Sequence, residues 1–140
     1  MTRFYQELEH TADWAVRVWG ESAAALFEHA AEAMFELQGA DLDATLQMTT
    51  AIDCQASDLA ALLVAWLSEL LYHSEVGDVA YIDFEVEITG GGSDEEFSLT
   101  ALARGYAGRG PLAHVKAVTY YGLSVQQTDT GWDATVTFDT

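Results

Sequence analysis

One cysteine, one proline and one lysine occur among the 140 residues of this chain. A lone Cys54 excludes a disulfide framework and any multi-cysteine metal site. It lies between Asp53 and Gln55 in a strand-like run with no basic neighbour to lower its pKa, so it reads as a buried structural thiol and not as a nucleophile. Positive charge is almost as scarce. Five Lys and Arg face 23 Asp and Glu, a formal net charge of −18. Such a surface repels a phosphate backbone and argues against strong direct binding of nucleic acid. No apolar run reaches the roughly 18 residues of a membrane span. The start, Met1-Thr2-Arg3-Phe4-Tyr5, lacks the charged-then-apolar layout of a signal peptide. A cytoplasmic protein with no membrane partner is therefore expected. The histidines, His10, His29, His73 and His114, show no zinc-ligand spacing, and His29 and His73 read as surface or boundary residues.

What is present is apolar enough for a core. Half of the residues are hydrophobic and the four tryptophans are scattered, which excludes a disordered polyanion. The acids are dispersed and do not gather in a tail. That favours a protein kept soluble in a salt-rich cytoplasm over one that uses its charge on a basic partner. Composition alone says little more about function.

Periodicity supplies the plan. Arg3 to Glu9 alternates loosely, as an edge strand does, and Trp14 to Trp19 alternates cleanly and stops at Gly20. Ser22 is a good N-cap for a helix with Leu26, Phe27, Ala30, Met34 and Leu37 on one face, ended by Gly39. Leu46 to Gln55 reads as a strand. Ser57 is the expected cap of a second helix, whose stripe runs from Leu59 to Leu71 and is broad enough to pack a whole flank on a sheet. Tyr81–Ile88 and Phe97–Leu102 form strands around the turn Gly90-Gly91-Gly92, and a loop with Pro111 precedes two further runs. Those runs, Ala117–Gln127 and Trp132–Phe138, read as a hairpin closed by Asp129-Thr130-Gly131. The expectation is one α+β domain over residues 1–140, a mixed and mostly antiparallel sheet with two packed helices.

Most chemical motifs fail on physical grounds. The triple glycine has no following helix and no lysine, so it cannot cradle phosphate and reads as a hairpin turn. No Ser-His-Asp or Cys-His arrangement is legible. Glu69 falls between the apolar positions of the second helix and should face solvent. Three places sit oddly for pure structure. His10-Thr11-Ala12-Asp13 joins two strands without Gly or Pro; His114-Val115-Lys116 opens the penultimate strand with the only lysine; Phe138-Asp139-Thr140 ends the chain inside a strand. Carboxylates gathered at strand ends suit a hard cation such as Ca²⁺ or Mg²⁺. From residue types alone, Asp13 as a turn residue, Lys116 as a solvated strand end and Asp139 as one more surface acid are the favoured readings.

Six segments taken in order resemble the archease family: His10-Thr11-Ala12-Asp13, Trp19-Gly20, Leu26-Phe27, Trp66 to Tyr72, Lys116-Ala117-Val118-Thr119-Tyr120 and Phe138-Asp139. They span nearly the whole chain. The resemblance implies a small α+β protein without catalytic residues that acts as cofactor or chaperone to an RNA-splicing ligase. It would promote that ligase's guanylylation and multiple turnover in tRNA splicing and RNA repair. A chaperone role toward a tRNA methyltransferase is a further implied partnership. Carried over by position, metal ligands would be Asp13, Asp139 and Thr140, the last through backbone or terminal carboxylate oxygen, for Ca²⁺, Mg²⁺ or Mn²⁺. Two such carboxylates about 5 Å apart repel by about 3 kcal/mol at an effective dielectric near 20, and a divalent cation converts that into attraction. His10, His114 and Lys116 are the candidate partner contacts. The chain departs from the family pattern at Tyr121, where a histidine is usual. A metal-dependent hydrolase using the same acids is the competing class, and it lacks a legible nucleophile, base or phosphate loop.

Overall fold

Residues 4–8, 14–93, 95–108 and 115–140 are described in the structure, a computed structural model. Strand pairing divides the β-structure into two antiparallel sheets. The first has the order β1 (Tyr5–Leu8), β2 (Trp14–Gly20), β7 (Gly131–Asp139), β6 (Ala117–Thr128). The second has β3 (Met48–Ala56), β5 (Phe97–Ala107), β4 (Val79–Gly90). Of the two helices, α1 (Ala23–Leu37) leads from the first sheet to the second, and α2 (Leu59–Gly77) joins β3 to β4 within the second. The α+β class, the two helices and the antiparallel strands agree with the sequence reading. The division into two sheets was not legible there, because each sheet pairs strands that are distant in sequence.

The helices touch both sheets. α1 packs on β2 and on β4, whereas α2 packs on β6 and on β3, so the pair forms a layer between the sheets. Each must therefore bury a flank wider than the roughly 100° stripe of a surface helix. On α1 the buried set includes Leu26, Phe27, Ala31, Met34 and Phe35; on α2 it includes Leu62, Leu63, Trp66, Leu67 and Leu70. α2 has the length and apolar composition to cross a membrane, and here that apolarity is spent on two sheets at once. Val16 and Val18 of β2 meet this layer from one side with Ala134, Val136 and Phe138 of β7, all fully buried. The Trp66 indole Nε1 donates to the Phe27 carbonyl at 3.0 Å and ties the helices together inside the core. Phe84 stands edge-on to Trp66 and stacks near Phe35, which also meets Tyr81.

Local chemistry sets the ends. Ser22 Oγ accepts from Ala25 N at 3.0 Å, as the sequence predicts. The second cap is Asp58 and not Ser57: the chain is extended at Asp58, whose Oδ1 accepts from Ala61 N at 2.7 Å. α2 also runs past the expected end of its stripe, which places His73 inside the helix, where it lies 3.5 Å from an exposed Glu69. Buried Ser74 hides this continuation, since its hydroxyl fills a core position by donating to the Val79 carbonyl. Gly91 takes a positive φ in the β4–β5 hairpin, and a Cβ there would strike the Phe97 ring. Gly131 (φ 153°) is needed for close approach, since a Cβ would stand 2.2 Å from the Gly20 carbonyl oxygen.

Glu32 is partly buried on the outer side of α1. Burial raises its pKa above the usual carboxylate value, and Glu28, Asp83 and Glu36 add to the rise against an opposing effect of His29. A raised folded-state pKa means stability that is full at low pH and falls as pH rises through that pKa. Glu32→Gln is therefore expected to raise the melting temperature at pH 7 and to leave it unchanged at pH 3, where the carboxyl is neutral anyway. Trp66→Ala should cost about 3–5 kcal/mol in denaturant unfolding. A loss below about 1 kcal/mol would show that the helix layer does not carry the fold.

Candidate functional site

β7 ends at Asp139, whose carboxylate side is exposed, and Thr140 follows it, also exposed. The strand is held on both sides up to this point. Trp14 stands opposite Phe138 on β2, and Ala117 stands opposite Asp139 on β6. Lys116 N donates to the Asp139 carbonyl at 2.8 Å, which fixes the strand end to the entry of β6. The Lys116 side chain is exposed and has no ion-pair partner among the described residues. Trp14 and Phe138 have Asp13 and Asp139 as their sequence neighbours. Asp13, His10 and His114 lie outside the described residues. Among the described ones no group of three His, Cys, Asp or Glu is placed to hold a metal ion. The described donors here are oxygens, the Asp139 carboxylate and the Thr140 main chain. Such a set fits a hard cation such as Ca²⁺ or Mg²⁺ and not a thiophilic one.

Beside this end, β6 loses register between Thr119 and Ser124. Tyr121 N donates to Thr119 Oγ1 at 3.0 Å, and Gly122 adopts a φ of 66° within the irregular stretch. Tyr120 and Tyr121 are 64% and 75% exposed as a result. Tyr121 is thus presented outward.

A family model described as the Archease protein family matches residues 5–140. The chain belongs to the archease family. Among relatives named Protein archease, that of Methanosarcina mazei is 39% identical over 139 residues, covering 96% of this chain and 94% of the relative. That of Methanopyrus kandleri is 36% identical over 140 residues, covering 96% and 98%. A solution structure of a Methanobacterium thermoautotrophicum protein superposes with a TM-score of 0.81 at 25% identity, covering 99% of this chain and all of that one. A Thermotoga maritima archease, described as a possible chaperone, shares the fold with a TM-score of 0.60 at 21% identity over 96% of each chain.

The structure also assembles a cleft that the sequence did not announce. It measures about 840 Å³ and lies where the end of β2, the start of β7 and the first turns of α1 meet. Phe4, Arg17, Trp19, His29, Trp132 and Asp133 are among its walls. Arg17 and Trp19 share the outward face of the first sheet with Asp133, because Trp19 and Asp133 are directly paired in the β2–β7 ladder. Arg17 Nε donates to Asp133 Oδ2 at 2.8 Å, and a second guanidinium nitrogen reaches the same oxygen. The guanidinium also lies 5.8 Å from the centre of the Trp19 ring. His29 Nδ1 is 2.7 Å from the Trp19 carbonyl, and the ring stacks on Phe4 at 4.1 Å. Outward alternation along β2 could have suggested Arg17 and Trp19. Nothing in the spacing links them to Trp132 or Phe4.

Cys54 is half-buried, and its thiol pKa is pushed up to about 11 by burial, with Glu69 and Asp53 adding to the rise. It is a structural thiol, as its neighbours in sequence imply. At pH 8, alkylation by iodoacetamide should run on the order of 100-fold slower than for an ordinary free thiol of pKa near 8.5. Rates within a few-fold of free cysteine would contradict that environment.

Proposed function

We propose that this chain is a non-catalytic protein cofactor of an RNA-splicing ligase, promoting the ligase's guanylylation and its multiple turnover in tRNA splicing and RNA repair. Membership of the archease family supports the reading, and the strand-end register is the observation that carries it to particular residues. Phe138 is fixed between Trp14 and Val118, so Asp139 leaves the sheet at a defined place beside the Lys116 amide. In this reading Asp13, Asp139 and a Thr140 main-chain oxygen hold one divalent cation, Ca²⁺ or Mg²⁺ before Mn²⁺. When bound, the ion neutralises the local acids. Water would complete the shell, which implies modest affinity and an open face for the ligase. Lys116, with His10 and His114, would supply contacts to the partner, and Tyr121 would stand in the place of the family histidine. The protein would act in the cytoplasm.

A general chaperone role, including one toward a tRNA methyltransferase, is the second reading. The description of the Thermotoga maritima relative as a possible chaperone favours keeping it. The two separate cleanly. Asp13→Ala and Asp139→Ala are expected to fold normally and to lose at least tenfold in stimulation of the cognate ligase, measured as guanylylation rate and turnovers per ligase. Full stimulation by both variants would remove the metal-site reading. Stimulation of no ligase, together with suppression of methyltransferase aggregation, would favour the chaperone.

A further inference from the structure

We infer that the cleft between Trp19, Trp132 and His29 is a docking site for an arginine-bearing segment of a partner protein. The inference is independent of the ligase reading, since it concerns the opposite end of β2 from Trp14 and needs no metal. Four features of the cleft converge on a cationic donor.

The walls offer aromatic faces, from Phe4, Trp19 and Trp132, and Arg17 already shows that a guanidinium settles near the Trp19 ring, 5.8 Å from its centre. The cleft's own cation is neutralised, with two of its nitrogens on Asp133 Oδ2. Acceptors remain. Glu21 is exposed on the rim, and neither its carboxylate nor Asp133 Oδ1 has a hydrogen-bond partner among the described residues. His29 is a third acceptor. Since Nδ1 faces a carbonyl, which can only accept, Nδ1 carries the proton in the neutral ring and leaves Nε2 with a lone pair.

Size and field agree. A volume of about 840 Å³ lies within the usual range for ligand sites, about 300–1,000 Å³. It exceeds one side chain and fits a short stretch of peptide. The local acids Glu21 and Asp133 favour a basic segment over nucleotides and other anions, for which the cleft has no unneutralised cation among the described residues. Guanidinium suits the site better than ammonium, because it can stack on an indole while its edge donates to acceptors at several angles.

The test uses the intact protein and N-acetyl-Gly-Arg-Gly-amide, followed through the indole N–H signals of the four tryptophans at fixed ionic strength. Saturable shifts are expected at Trp19 and Trp132 and not at Trp14 or Trp66. Trp19→Leu should weaken binding about tenfold, and Glu21→Gln, at an exposed position that cannot disturb the core, about two- to fivefold. Glu87→Gln, on the outer face of the second sheet, should change nothing. Equal shifts with N-acetyl-Gly-Glu-Gly-amide, tighter binding of adenosine, or the same loss from Glu87→Gln as from Glu21→Gln would overturn the proposal. So would wild-type affinity in the folded Glu21→Gln and Trp19→Leu variants.

Discussion

The burial of two helices between two sheets is the constraint on which the rest of this structure depends. Neither three-to-four-stranded sheet could bury an apolar face against water, and neither helix could hide its broad flank on one sheet alone. The solution is mutual. Trp66 sits where the demands meet, packing against Phe84 and donating to the Phe27 carbonyl, so a polar group in the core is satisfied and joins α2 to α1. Gln38 repeats the device at the other end of α1, where its buried side chain binds the Met34 carbonyl and receives Val115 N.

This layer leaves the outer faces of both sheets to solvent, and the two faces differ. On the second sheet Arg104 is held by Asp83 and Glu85, in a row of acids that keeps the face hydrated. On the first sheet Arg17 and Asp133 are set among aromatic rings, and the face deepens into a cleft where β2 turns into α1. The chain end lies elsewhere along β2 and β7. The proposed metal site and the cleft are thus at opposite ends of the same two strands, and β2 and β7 fix both by the same ladder. The two proposed contact places are therefore set apart by the length of these strands.

Much of the architecture was readable from local pattern. Ser22 capped its helix, Gly91 turned its hairpin, and the Asp129-Thr130-Gly131 turn joined the last two strands, because each depends on residues only a few positions apart. Errors arose where a polar residue behaved against type. Ser74, buried and satisfied by the Val79 carbonyl, hid the last turns of α2, and Asp58 displaced Ser57 as the cap because the helix begins one residue later. The register break at Tyr120–Leu123 was also hidden, since an irregular stretch keeps the same residue types as the strand it interrupts.

Sequence by itself determined the class of fold, the family, the acidity and the strand-end aspartate Asp139, since these rest on composition, short-range periodicity and ordered motifs. Only the tertiary structure decided that β2 pairs with β7 and β3 with β5, and that Phe4, Arg17, His29 and Trp132 share one cleft. Sheet partners are chosen by which apolar faces can be covered together, a property of the whole chain that no local window contains. The cleft follows from that choice: Trp19 meets Asp133 only because the last strand returns beside the second.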